Sequence, residues 1–396
     1  MPKPGEKMNR VITLTVIGLY FVLTVFLIDA WAQMPFETTP ITNKGKKWRI
    51  GYLEGGPYAN YQSILKSITK TLMDAGWIQH SSIPECRDEI ETKTLWKFLS
   101  TQIQSNYLEF VSDAYWSAEW CDAKRKSLKH DIIKRLNESK DINLMLAFGT
   151  WAGQDLANNQ HNTPTMVLSA SNAIRSGIIK SVENSGFDHI HAWIDPNKSE
   201  RQLRLFHKIT GFKKLGIAYE NDLDGRSYSA VEDVQNLSRE LGFQIIECHL
   251  PGQASGTSHE EAELVKCYEQ LAQKIDSMYI TDYAGLTKKN LNKLLMPLFE
   301  NKVATFAQTR YDLVKYGILM GAGRSDFKAD ARFYTEILAG ILNGKKPGDL
   351  PQEFKSPLKI VVNLESSKQI GFRIPLDILA GAFEIHETIH HPENKE

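Results

Sequence analysis

The sequence predicts an α/β protein with parallel sheets in two lobes. Short apolar strands alternate with amphipathic helices along most of the chain, the pattern of repeated βα units. Its 396 residues exceed what one hydrophobic core usually holds. Gly76 and Gly242 each stop a helix that follows a strand, and each leads into an apolar, strand-like stretch, which gives the two halves a similar plan.

The elements follow in order. Residues 1–32 read as an export signal: Lys3, Lys7 and Arg10 precede the apolar run 11–28, and Ala30-Trp31-Ala32 has the small-bulky-small form that a signal peptidase prefers. Cleavage would leave a chain starting at Gln33. The run is long enough that an uncleaved anchor at 11–28 is the alternative, and either way the rest lies outside the cytoplasm, in the periplasm. No Cys ends the run, so no lipoprotein anchor is expected. Residues 33–47, polar with Pro35 and Pro40, read as a linker.

Regular structure is expected from Trp48. Residues 49–53 form a strand, broken by Glu54-Gly55-Gly56-Pro57, and Ile64, Leu65, Ile68, Leu72 and Met73 then recur at helical spacing. Residues 77–143, rich in aromatics such as Trp96, Phe110, Tyr115 and Trp120, read as an elaborated connection with one or two helices. Three more units follow: strand 144–148 with a helix from Ala152, strand 214–219 with a helix over 227–241, and strand 277–281 with a helix over 288–301.

Composition narrows the function. Lys and Arg number 47 and Asp and Glu 47, so the formal charge is 0, and it becomes −1 once three basic and two acidic residues leave with 1–32. A neutral chain without a basic block is not built to wrap a polyanion, so no nucleic-acid partner is expected. Four cysteines in an exported chain form an even set. Local order pairs Cys86 with Cys121 and Cys248 with Cys267, with the other two connectivities and buried free thiols left open.

Catalytic motifs are sparse. His386-Glu387-Thr388-Ile389-His390 fits HExxH, but it sits on a polar tail only six residues from the C-terminus, with no room for the usual downstream third ligand, so it is read as a chance match. No dinucleotide fingerprint, P-loop or GxSxG elbow occurs. The chain is therefore expected to be no enzyme and to use no cofactor or metal.

What remains are polar and aromatic residues just beyond the predicted strand ends, where open α/β sheets hold ligands. The first half supplies Glu54, Tyr58, Gly149, Thr150, Trp151, Ser169 and Ser171. The second supplies Asn221, Asp222, Arg226, Ser227, Tyr228, Asp282, Tyr283 and Gln308. Thr150 and the N–H groups opening the next helix suit a carboxylate, Asp282 an ammonium, and the rings of Trp151, Tyr58, Tyr228 or Tyr283 a flat moiety.

Residues 338–351, LAGILNGKKPGDLP, and 359–375, KIVVNLESSKQIGFRIP, resemble the C-terminal signature of the ABC-transporter substrate-binding family that includes the tryptophan- and tyrosine-type binding proteins. RIGYLEGGP from Arg49, LGIAYEND from Leu215, IDSMYITD from Ile275 and KVATFAQ from Lys302 resemble its strands in order. The aromatic stretch and the cysteines depart from the family pattern. The resemblance implies a type I periplasmic binding fold: two Rossmann-like lobes joined by a three-crossing hinge, with residues 46–171 and 317–350 in lobe one and 172–316 and 351–396 in lobe two. It also implies a monomer that captures a small polar, amino-acid-like ligand between the lobes and delivers it to an ABC permease and ATPase. A membrane-anchored sensor of the same fold, acting on a signalling partner, is the alternative.

Overall fold

A computed structural model describes residues 36–84, 92–252, 257–283, 285–323 and 327–391. The expected signal or anchor at 1–32, the cleavage junction and Cys86 lie outside the described residues. Among the described residues no helix is long and apolar enough to cross a membrane. Residues 39–396 form one unit.

Its first sheet is built from β1 (Trp48–Glu54), β2 (Leu108–Ser117), β3 (Leu144–Phe148), β4 (Thr165–Leu168) and β5 (Ile190–Ala192), in the order β2-β1-β3-β4-β5 and all parallel. Strands β3, β4 and β5 are buried at every position, as parallel strands covered on both faces require. The covering helices are α1 (Ala59–Asp74), α2 (Lys93–Thr101), α3 (Asp122–Glu138) and α4 (Gly149–Leu156). Helix α1 buries the stripe Ile64, Leu65, Ile68 and Leu72 that its spacing predicts.

The second sheet takes β6 (Lys214–Glu220), β7 (Gln244–Leu250), β8 (Ser277–Ile280), β9 (Ala304–Ala307), β10 (Met320–Gly323), β11 (Lys359–Asn363) and β12 (Glu384–His386), in the order β12-β11-β10-β9-β8-β6-β7. Only the β10–β11 pair is antiparallel. Alternate residues feed two cores: Ile217, Tyr279 and Phe306 pack on one face, Ala218, Met278 and Ile280 on the other. Around it lie α5 (Lys198–Thr210), α6 (Leu223–Tyr228), α7 (Val231–Leu241), α8 (Thr257–Ala272), α9 (Leu291–Glu300), α11 (Leu364–Gln369) and α12 (Leu376–Ala380), whereas α10 (Lys328–Leu342) packs on α1 of the first lobe. A Cys248–Cys267 disulfide ties edge strand β7 to α8, with Cα atoms 5.8 Å apart.

The chain passes between lobes after β5, between β10 and α10, and before β11. Two of these passages pair with each other: the Ile194 N–H donates to the Gln352 carbonyl (2.9 Å) and the Phe354 N–H to the Ile194 carbonyl (3.1 Å). Beside them the Asp195 carboxylate accepts from Arg201 and from the Ser356 N–H, while the Ser356 hydroxyl donates to Asp330 at 2.8 Å.

Several expectations need correction. Strand β10 lies in the second sheet, where the resemblance implies lobe one for 317–350, and β5 lies in the first, where it implies lobe two for 172–316. Nothing in a three- or four-residue strand says which sheet it joins. Helix α10 does return to the first lobe, where Thr335 meets Thr71 of α1 hydroxyl to hydroxyl at 2.6 Å. The aromatic connection contains the ten-residue strand β2 besides its helices, and no strand directly follows Gly76, so the repeat between the halves is looser than expected. The helix expected over 227–241 breaks at Ala230, whose φ is 55°, into α6 and α7. His386 ends a strand and residues 387–390 are not helical, so the HExxH residues lack the i, i+4 helical face that the motif needs. Cys121 is exposed, and the partner expected for it falls outside the described residues.

Candidate ligand-binding cleft

Three side-chain contacts bring the loops after β1, β3 and β4 against the loops and helices after β6 and β8, so the C-terminal ends of the two sheets face each other. Tyr58, the residue before α1, donates its phenol to Asp282, just past β8. The Trp151 indole N–H, in the first turn of α4, lies 3.4 Å from Asp224 of α6. Arg175, beyond β4, meets Asp233 of α7 at 2.6 Å. This is the crevice where parallel α/β sheets place ligands.

Asp282 is the best-placed charge. The same carboxylate oxygen that accepts from Tyr58 accepts the Thr309 hydroxyl at 2.6 Å, and Asn60 donates to the Tyr58 oxygen at 3.2 Å. Burial, and then the charge of Asp282, push the Tyr58 phenol well above its usual range, so it stays a neutral donor. Arg310 is next to this group. Burial works against its charge, but a two-bond ion pair with Asp312 (2.9 and 3.0 Å) outweighs that and raises its pKa.

The opposite wall is aromatic. Tyr61 lies edge-on to Tyr58 (5.1 Å) and to Phe148 (5.6 Å), and Phe148 stacks on Tyr52 (5.0 Å). Trp151 meets Trp120 edge-on at 5.5 Å, with the Arg125 guanidinium 4.6 Å from the Trp151 ring centre. Two glycines permit this crowding. A Cβ on Gly149 (φ +89°) would sit 1.8 Å from the Tyr61 hydroxyl, and one on Gly56 would lie 2.6 Å from the Trp120 ring. At the N-terminus of α4 the Thr150 and Ser171 hydroxyls lie 3.3 Å apart, and the Ser171 N–H donates to Thr150 at 3.3 Å.

Not every candidate residue faces this gap. Glu54 is buried inside the first lobe, where its carboxylate accepts from Tyr52 (2.7 Å), Thr92 (2.7 Å) and Tyr115 (3.1 Å); burial raises its pKa and these donors oppose the rise. Tyr283 is buried and donates to the Pro251 carbonyl at 3.1 Å. Asp222 caps α6 through the Gly225 N–H (2.7 Å). Arg226 is held by Glu232 (3.1 Å), with Asn221 at 3.3 Å. Ser169 directly follows β4 in left-handed backbone, φ 59°. Gln308 is buried at the end of β9, where its amide donates to the Tyr228 carbonyl (2.9 Å); its own oxygen and the Ser227 hydroxyl beside Tyr228 are buried without a hydrogen-bond partner. A separate cavity of about 350 Å³, lined by residues that include Lys180, Phe187, Asp188 and Gly348, lies at the N-terminal end of β5, the end of the sheet away from the cleft.

With this geometry in view, the pattern that defines the ABC transporter substrate binding protein family matches residues 121–386. The chain belongs to that family. A relative within reach of sequence comparison is a tyrosine-binding protein of Clostridioides difficile (strain R20291), 24% identical over 247 residues, which are 61% of this chain and 66% of that one. The chain thus matches just under two thirds of that relative's length. Among solved structures it resembles the ABC domain in complex with L-Trp from Streptococcus pneumonia (TM-score 0.62, 18% identity, 86% of this chain and 100% of that one). It also resembles a ligand-free, open substrate-binding protein with adhesive properties from Clostridium difficile (TM-score 0.59, 17% identity, 86% and 100%). These structural likenesses establish the two-lobed fold of a substrate-binding protein.

Within this substrate-binding protein, reading the sequence missed Tyr61, Thr309 and Arg310 as lining of the cleft. Tyr61 counts as one more apolar position on a helix. Thr309 and Arg310 directly follow Gln308, two and three residues past the end of β9, beyond the positions the strand-end pattern selects.

Proposed function

We propose that this chain is the extracytoplasmic binding component of an ABC importer, and that it captures a small amino-acid-like solute carrying an ammonium group and a flat side chain. The observation that carries this reading is Asp282: a carboxylate at the floor of the cleft, held by the neutral donors Tyr58 and Thr309, facing a wall of aromatic rings. The ligand ammonium pairs with Asp282. Its carboxylate meets the N–H groups that open α4 together with Thr150 and Ser171, and its ring packs against Trp151 or Tyr58. The tyrosine and tryptophan named for the relatives are the first ligands to try. Residues 1–32 direct export, and the three passages between lobes act as the hinge that encloses the solute before delivery to a permease and its ATPase. The protein binds and releases; it does not turn over.

The test is a thermal-shift screen of the chain from Gln33 to Glu396 against amino acids, nucleosides and sugars. A ligand bound only by the native state raises the melting temperature by mass action. A shift confined to aromatic amino acids supports the reading, and a shift confined to sugars or nucleosides removes Asp282 from its centre.

A further inference from the structure

We propose that Trp120 supplies the face on which a flat ligand side chain stacks, and so sets the preference of the cleft for aromatic over aliphatic solutes. The proposal rests on the cleft reading and deepens it by naming the residue that selects the side chain.

Trp120 lies in the turn between β2 and α3. The Cys121 N–H donates to the Ala118 carbonyl at 2.9 Å across it, and the two central residues, Glu119 (φ 53°) and Trp120 (φ 55°), both adopt left-handed backbone. Turns with two such residues ordinarily take Asn-Gly or Gly-Gly, because a Cβ is unfavourable there. A bulky ring at the second position, where glycine is the usual choice, is held against that preference by its surroundings.

Those surroundings fix the ring at the cleft. The Trp120 N–H donates to the Gly55 carbonyl (2.9 Å) and the indole N–H to the Pro57 carbonyl (3.0 Å), while the Ala118 N–H donates to the Glu54 carbonyl (3.1 Å). One side of the indole lies against Gly55 and Gly56, where added Cβ atoms would come within 2.9 and 2.6 Å of the ring. The loop it covers runs on to Tyr58, whose phenol reaches Asp282. Its edge-on neighbour Trp151, 5.5 Å away, reaches Asp224 of the second lobe. Trp120 thus stands one side chain away from both of these contacts between the lobes.

Of the rings in the cleft it has the most surface to offer. Trp120 is 38% exposed, whereas Tyr61 is buried and Tyr58 and Trp151 are half-buried. Tyr58 is engaged by Asp282 and Tyr61, and Trp151 carries the Arg125 guanidinium 4.6 Å from its ring centre. A ring packed on one side and exposed on the other is a platform for a flat moiety. The gain grows with the overlapping area, so an indole side chain benefits more than a phenol, and a branched aliphatic chain, which cannot lie flat, benefits little.

The experiment is calorimetric titration of the protein with L-tryptophan, L-tyrosine and L-leucine, on the unmutated chain and on Trp120→Gly and Trp120→Phe, each first unfolded, dialysed and refolded to strip any bound solute. Glycine suits the backbone of the turn and removes the ring; phenylalanine keeps a flat face. Trp120→Gly is expected to weaken both aromatic ligands by about tenfold, L-tryptophan more than L-tyrosine, and L-leucine by less than about twofold, while Trp120→Phe stays within about threefold of the unmutated chain. A ring that only holds the 54–58 loop in place would act through Tyr58 and lower all three ligands alike. That result, or no change in any of them, overturns the proposal. Where L-leucine binds too weakly to titrate, Trp120→Phe decides: recovery of aromatic binding supports the proposal, and a loss equal to that of Trp120→Gly overturns it. Should Trp120→Gly fail to fold, Trp120→Leu takes its place. Binding of no amino acid by the unmutated chain removes the cleft reading and this proposal with it, whereas amino-acid binding that Trp120 does not influence overturns this proposal alone.

Discussion

The first lobe brings rings and hydroxyls to the cleft, in Tyr58, Tyr61, Trp151, Thr150 and Ser171; the second brings charge, in Asp224, Asp282 and Arg310. The ring wall continues the first lobe's core, since Phe148 stacks on Tyr52 behind Tyr61. The charged wall is held by hydrogen bonds, from Thr309 to Asp282 and between Arg310 and Asp312. In the proposed site, therefore, the first lobe supplies mainly shape and the second mainly charge. The lobes also differ in how they are secured: the second carries the disulfide, the first a set of buried histidines at its β4–β5 edge.

The largest effect is expected from the staple. Reducing Cys248–Cys267, which closes a loop of 19-residue separation, should cost the second lobe about 3 kcal/mol in denaturant melts and leave the first lobe little changed. Equal loss in both lobes would mean that they do not differ in this way. Next, Asp282→Asn should weaken binding of an ammonium-bearing ligand by about 2 kcal/mol in calorimetry, because a neutral amide replaces the charged partner.

Acid separates the lobes in the other direction. Burial holds His191 near 4, well below the usual 6.5; its Nε2 pairs with the Pro351 carbonyl at 2.8 Å, and His161 is lowered to about 4 in the same way. The unfolded chain takes up these protons below 6.5 and the folded chain only near 4, so stability is lost as the pH falls across that window. For fully buried His191 the loss should reach about 2 kcal/mol by pH 5, read as a falling melting temperature whose slope eases in His191→Gln. A flat profile between pH 7 and 5 would contradict it. The smallest effect is Trp151→Ala, which should cost about 1 kcal/mol of affinity for an aromatic ligand and almost none for an aliphatic one, in the same calorimetric series.

Much of this fold could be read directly. The helical spacing from Ile64 to Met73, the continuous apolar strand at 144–148 and the glycine stops at Gly76 and Gly242 are local signals, and the structure keeps them. Strand β2 was hidden because its residues alternate weakly at a sheet edge, and the sheet membership of β5 and β10 depends on pairing that no local pattern records. The cleft was legible at Tyr58, Trp151 and Asp282, polar or aromatic residues directly beyond strand ends. Glu54 stood in an equivalent position and turned inward, because Tyr52, Thr92 and Tyr115 offered its carboxylate hydroxyls inside the lobe. Chain order cannot tell those two outcomes apart.

The proposal that Asp282 reads an ammonium group against the aromatic wall is tested most directly by a pair of titrations, of L-tyrosine and of the same molecule lacking its amino group, on the unmutated chain and on Asp282→Asn. The unmutated protein should prefer tyrosine by at least about 2 kcal/mol, and the variant should lose most of that preference. Equal preference in the two proteins, or binding of neither compound by the unmutated chain, would contradict it.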